Sequence, residues 1–200
     1  MASRLGRLRA DQCVFFLCDV QQKFAPVIHN FSAVVTGAQR LAEAAKCLQI
    51  PVVVTEQYPK GLGRTVDSLT ARLDGANVTT FEKTEFTMVT AEVRRALGEP
   101  ANAARRSVVL VGLEAHICVQ QTTLDLIEMG YGVHLCVDAV SSQTAVDRSV
   151  GLHRADRAGA FLTSTESVLF ELIKSKDHPQ FKTISNTIKA TTFEQPLSFP

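Results

Sequence analysis

Short apolar runs rich in β-branched residues alternate along the chain with segments whose apolar positions recur every three to four residues. The run "VFFLCDV" at 14–20 has no polar alternation until its end and reads as a strand buried on both faces. Residues 31–49 place Phe31, Val34, Val35, Ala38, Leu41, Ala42, Ala45 and Leu48 on one helical stripe. "PVVVTE" (51–56) predicts a second strand, with Pro51 acceptable at its first position, and 77–83 a weaker third. Residues 90–97 predict a short helix ended by Gly98 and Pro100. "SVVLVG" (107–112) is the strongest strand signal, and a helix follows over about 116–129, stopping at Gly130. A strand at 132–138, a helix at 142–157 and a short strand at 160–164 come next. Thr163 and Glu166 resemble a capping box opening the helix "ESVLFELI", and Pro179 suits the first turn of a last helix running to Ala190. The longest irregular connection is 57–76, and long loops in compact domains often carry function.

Continuous rather than alternating apolar strands call for a sheet covered on both faces, and repeated strand–helix alternation calls for right-handed βαβ crossovers. The expected fold class is therefore α/β, a three-layer α/β/α domain over residues 11–190, with a short extension (1–10) and a tail (191–200). The tail is expected on the surface or against a neighbouring subunit. Two hundred residues, 46% of them hydrophobic, suffice for one well-buried domain. With 21 basic against 20 acidic side chains, nothing points to a nucleic-acid or membrane partner, and no apolar run is long enough to span a bilayer. The opening residues, with three arginines and no acid, run straight into the first strand and read as an ordinary N-terminus. Five cysteines, an odd number with no C-x-x-C pair, argue for a reducing compartment: the cytoplasm, with nucleus or mitochondrion as alternatives.

In open α/β sheets ligands collect at the carboxyl ends of the strands, near the point where strand order reverses. That rule selects Asp19 after the first strand, Glu56 and Gln57 after the second, Lys83 after the third, and 114–118 after the fourth. An acid, a base and a thiol share one edge. Singly, each has a plainer reading: Asp19 as a turn former, Lys83 as a solvated charge, Cys118 as a small core residue. Cys13, Cys18, Cys47 and Cys136 keep that packing reading, since they fall within predicted core faces. Cys118, in the first turn of a predicted helix, gains a setting that favours a thiolate. Asp19 can take the thiol proton, Lys83 can hold the anion, and main-chain N–H groups around 114–118 can face an oxyanion. His116 is a rival base, two residues from the thiol and poorly aimed. Phosphate loops, a G-x-S-x-G elbow and H-E-x-x-H are all missing, and the five histidines show no metal-ligand spacing.

Five ordered blocks, "FLCDVQQKF" (16–24), "TEQYPKGLG" (55–63), "FEKTEFTM" (81–88), "GLEAHICVQQT" (112–122) and "VDAVSS" (137–142), resemble the isochorismatase-like cysteine hydrolases, and in particular the isochorismatase domain-containing protein 2 group. The resemblance spans roughly residues 11–190. It implies a six-stranded parallel sheet flanked by helices, assembly into dimers or larger oligomers, Asp19 as acid/base, Lys83 as its partner and Cys118 as nucleophile. It also implies a cis Leu113–Glu114 peptide that turns the Glu114 and Cys118 N–H groups toward the oxyanion. Nicotinamidases of the superfamily hold a metal through an Asp and two His after the second strand. Here that stretch reads "TEQYPKGLGRT", without histidine, so neither metal nor nicotinamidase activity is expected, and no cofactor.

The full Asp–Lys–Cys set suits attack on an amide, imide or carbamoyl carbon of a small molecule, through a thioester, better than vinyl-ether cleavage. Gln21, Phe24, Gln57, Tyr58, Phe86, Met88, Glu114 and His116 are candidate pocket residues; Phe81 and the other aromatics fit plain core equally well. Glu114 has two readings, a rim charge pairing or a polar contact that selects substrates. A different class also stands: a binding or scaffolding module that uses the same fold with an idle site.

Overall fold

The computed structural model describes residues 5–99, 102, 104–193 and 196–198, so that Pro100 and the two ends of the chain lie outside the described residues. Strands β1 (Cys13–Cys18), β2 (Val52–Gln57), β3 (Val78–Lys83), β4 (Ser107–Leu113), β5 (Gly132–Ser141) and β6 (Phe161–Thr163) form one sheet, ordered β3-β2-β1-β4-β5-β6. Every pairing is parallel. The chain winds outward from β1 to β3, then crosses back to lay β4 against the other side of β1, so strand order reverses between β1 and β4. A crevice at the carboxyl ends of those two strands follows from that topology.

Among the described residues the strands are connected by α1 (Phe31–Leu48), α2 (Pro59–Leu62), α3 (Asp67–Leu73), α4 (Ala91–Gly98), α5 (Cys118–Glu128) and α6 (Ala145–Arg157), and α7 (Thr165–Ile173) and α8 (Phe181–Ala190) follow β6. Side chains alternate across β1. Cys13, Phe15 and Leu17 join the core under α1, α3, α7 and α8, while Val14, Phe16 and Cys18 join the core under α4, α5 and α6. The central strands β1 and β4 are buried almost throughout and the edge strands β3 and β6 are not, which explains the weaker signals of the latter. Gly37 lets α1 seat on the sheet, since a Cβ there would meet the Ala139 Cβ at 2.3 Å. No helix of the described residues is long and apolar enough to cross a membrane.

Three expectations change. The connection 57–76 is not irregular: Pro59 opens α2 and a second short helix, α3, buries Leu69 and Leu73. The N-cap of α7 is Ser164, whose side chain accepts from the Ser167 N–H, because Thr163 is still paired within β6. The described part of the tail neither floats nor reaches away. Leu197 is buried in the α1-side core, Arg148 Nη1 donates to the Ser198 carbonyl at 2.7 Å, and buried Arg40 donates through Nε to the Thr191 carbonyl at 3.1 Å. Two buried guanidiniums need main-chain acceptors, and the tail supplies them.

Candidate functional site

Asp19 follows β1 with φ of 53°, a left-handed turn that takes its carboxylate out of the strand's alternation. The carboxylate is buried, 1% exposed, and both of its oxygens accept from neighbouring strands. Thr55 Oγ donates to Oδ1 at 2.7 Å from the adjacent β2, and Lys83 Nζ donates to Oδ2 at 2.7 Å from the end of β3. Lys83 spans two strand positions to reach Asp19, and its side chain is wholly buried. Burial alone would lower the ammonium, but Cys18, Asp19 and Cys118 outweigh it and hold Lys83 above its ordinary value. Nζ also lies 2.6 Å from Gln57 Oε1, 3.2 Å from the Glu85 carbonyl and 3.0 Å from the Phe86 carbonyl. Four acceptors face three N–H donors, so Lys83 has none left to offer a ligand.

Cys118 is the first residue of α5, which begins about two residues later than the apolar pattern predicts. The turn before it is fixed by main-chain bonds: Ala115 N–H to the Ser141 carbonyl at 2.9 Å, and Ile117 and Val119 N–H to the Glu114 carbonyl at 3.1 Å each. At the first position of a helix, the Cys118 N–H has no partner within the helix. Leu113–Glu114 is trans, as are all described peptide bonds, which corrects the expectation of a cis bond. Trans is the lower-energy form by about 3–4 kcal/mol; the unusual backbone positions around this turn are Gly112 at φ 127° and Ile117 at φ −123°, ψ −88°. The case for the Glu114 N–H as an oxyanion donor loses its basis, and the reading of Cys118 as a nucleophile loses one of its supports.

Cys18, a packing residue on sequence grounds, also belongs to this site. Its Sγ donates to Asp19 Oδ2 at 3.6 Å, and burial, a hydrogen bond with Cys118 and the Asp19 charge push the Cys18 thiol well up. Thr55 is a further site residue that sequence reasoning misses. Its only sequence signal is a place in the block that ends β2, whereas its register beside Cys18 is a tertiary fact.

The pocket candidates divide. Gln21 is fully buried and braces the loop: Nε2 donates to the Gln57 carbonyl at 3.0 Å and the Gly63 carbonyl at 2.6 Å, while Oε1 accepts from Gln57 N–H at 2.7 Å. Gln57 in turn holds Lys83 and donates to the Thr84 carbonyl at 2.9 Å. Glu56, picked out at the same strand end, is buried and tied to Arg64 at 2.7 Å and to Thr65 N–H at 2.7 Å. Met88 is core, 0% exposed, and Phe24 packs against the α1-side core. Tyr58 and Phe86 are half exposed, and Tyr58 lines a cleft of about 320 Å³ with Pro59, Lys60, Glu82, Lys83 and Thr84. Glu114 is a buried brace, accepting from Gln143 Nε2 at 2.9 Å and Gln143 N–H at 3.2 Å. His116 Nδ1 is 3.0 Å from Ser142 Oγ and points to that side rather than to Asp19. Among the described residues no three His, Cys, Asp or Glu side chains converge as a metal-holding group.

The sequence profile of the Isochorismatase domain matches residues 13–167. Isochorismatase domain-containing protein 1 of Danio rerio is 48% identical over 96% of this chain, which spans 66% of that relative's length. Isochorismatase domain-containing protein 2 of Xenopus laevis is 43% identical over 92% of this chain and 87% of its own. Among solved structures, the MAR1 ribonuclease of Caenorhabditis elegans superposes with a TM-score of 0.89 at 41% identity, covering 97% of each chain. The family match, the identity along nearly the whole chain and the shared sheet agree: this chain belongs to the isochorismatase family.

Proposed function

We propose that the protein is a cysteine hydrolase that cleaves an amide, imide or carbamoyl C–N bond of a small molecule through a Cys118 thioester. One observation carries the reading: a fully buried Lys83–Asp19 pair at 2.7 Å, on the strand-order reversal where Cys118 opens α5. A buried ion pair costs desolvation free energy that an apolar pair would not, and a site that needs a charged base is a physical reason for one. Asp19 takes the Cys118 proton as Sγ bonds to the carbonyl carbon, and the oxyanion faces the Cys118 N–H. The C–N bond breaks, the amine leaves with the proton held by Asp19, and Asp19 then deprotonates the water that cleaves the thioester. Lys83, with every N–H committed, acts on Asp19 rather than on the anion. The expected dimer or tetramer belongs to the same proposal; Val146 and Val150, one turn apart on α6 and 71% and 58% exposed, are side chains such a contact would cover.

Iodoacetamide labelling followed by peptide mass mapping across pH 5 to 9 tests the thiol. Cys118 is expected to react on the order of tenfold faster than Cys47 at neutral pH, and an equal rate would overturn the nucleophile. A panel of small amides, imides and carbamoyl compounds, with an RNA oligonucleotide added because a relative is described as a ribonuclease, tests the reaction. Turnover of a small compound that Cys118→Ser abolishes is the expected result. The binding-module reading wins if nothing is turned over and a partner binds wild type and Cys118→Ser alike.

A further inference from the structure

We infer that Cys18 is a resolving thiol for Cys118, so that a hydroperoxide converts the two into an intramolecular disulfide; this rests on the reading of Cys118 as the reactive thiol. Strand alternation puts Cys18 on the α5 side of the sheet, in the same core as Cys118. Its register partner is Gly112 of β4, where an added Cβ would lie 2.1 Å from the Cys18 carbonyl oxygen. The missing side chain therefore lets β4 run tight against Cys18, and the turn after β4 leads to Cys118 in the same core. Cys118 is among the groups that act on the Cys18 thiol, and Cys18 Sγ is 3.6 Å from Asp19 Oδ2, a base for its proton. No other cysteine is placed to compete. Cys13 and Cys136 lie in the core on the opposite face of the sheet, and Cys47 packs there from α1.

Exposure sets the order of events. Cys118 is 6% exposed and Cys18 is fully buried, so an oxidant meets Cys118 first. The Cys118 thiolate attacks the outer oxygen of the hydroperoxide, the O–O bond breaks, and the alcohol leaves carrying a proton. Sulfur, oxidised by two electrons, is then a sulfenic acid. Cys18 gives its proton to Asp19 and attacks that sulfur; the S–O bond breaks and the hydroxide leaves as water with the Asp19 proton. One hydroperoxide is reduced to alcohol and water while two thiols become one disulfide, and a dithiol reverses it. Without Cys18 the sulfenic acid has no internal partner and proceeds to sulfinic acid, which a dithiol does not reverse.

The test treats the full chain at neutral pH with stoichiometric hydrogen peroxide, then maps peptides under non-reducing conditions. The expected result is a loss of two hydrogen masses, a peptide joining Cys18 to Cys118, and recovery of both thiols with dithiothreitol. Cys18→Ala, or Cys18→Ser should the alanine variant fold poorly, is expected to accumulate sulfinic acid at Cys118, and Cys47→Ala to behave as wild type. Sulfinic acid forming at Cys118 equally fast in wild type and in the Cys18 variant overturns the inference, as does a disulfide through another cysteine. Iodoacetamide labelling of the same Cys18 variant separates the two ideas. Fast alkylation of Cys118 without any disulfide in wild type defeats only the resolving role, whereas slow alkylation in both chains defeats the nucleophile itself.

Discussion

Lys83 and Asp19 hold opposite charges at 2.7 Å with side chains 0% and 1% exposed. Removing one partner of such a pair leaves an uncompensated buried charge, at a cost of about 3–5 kcal/mol. Lys83→Met is expected to lose that much in urea unfolding, and Asp19→Asn/Lys83→Met to recover most of it while leaving Cys118 slow toward iodoacetamide. A double variant as unstable as the single one would show that Lys83 stabilises through its loop contacts alone. His134 is a second residue whose burial has a measurable consequence. It stacks on Phe161 at 4.9 Å, its Nε2 is buried without a hydrogen-bond partner among the described residues, and burial, partly offset by Glu171, lowers it to about 4. Unfolded, the same group titrates near 6.5 and binds the proton first, so stability is complete above about pH 6.5 and falls as pH drops toward 4. The two values imply a loss of about 3 kcal/mol over that window, which urea midpoints at several pH values should show. His134→Leu is expected to flatten that slope.

Helix placement turns on a few glycines. Gly151 of α6 faces the turn before Cys118, where a Cβ would meet the Ala115 carbonyl carbon and oxygen at 2.4 Å and the His116 nitrogen at 2.6 Å. Backbone cannot rotate aside as a side chain can, so Gly151→Ala is expected to cost about 1–3 kcal/mol and to slow Cys118 alkylation by shifting its turn. Gly98, at the end of α4 with none of the described residues within 4 Å of where a Cβ would sit, is the matched control. Gly98→Ala is expected to be neutral or stabilising by up to about 1 kcal/mol. Equal effects at the two positions, read by unfolding and labelling together, would count against close packing of α6 as the device that sets the turn. At this scale strands and long helices are legible in the sequence, because a period of 2 or 3.6 is a local signal. Legibility fails where that signal is thin: α2 and α3 read as loop, since four and seven residues carry too few apolar positions to show a period.

For the molecule as a whole, the order β3-β2-β1-β4-β5-β6 explains how residues 19 and 83 meet and why residue 118 follows the strand beside them. Asp19 and Cys118 follow the two strands that flank the reversal, and Lys83 reaches in from an edge strand along its own length. The same packing accounts for the tail, whose Leu197 fills the α1-side core while its carbonyls serve Arg148 and Arg40. Arginine positions inside helices give no hint of this, because only the assembled helices leave those guanidiniums without water.

By itself the sequence determined the α/β class, the six strands and the edge of the sheet to search, and it proposed three residues there. Apolar runs, helical stripes and the ends of strands are properties of neighbours in the chain, so they can be read from it. Only the tertiary structure decided what each polar group near that edge does. Gln21, Gln57 and Glu114 turned from pocket candidates into braces, Met88 into core, and Cys18 from packing into a donor to Asp19. The reason is physical: a buried polar group takes its role from the partner that satisfies it, and those partners lie 36, 26 and 29 residues away in the chain for the three braces.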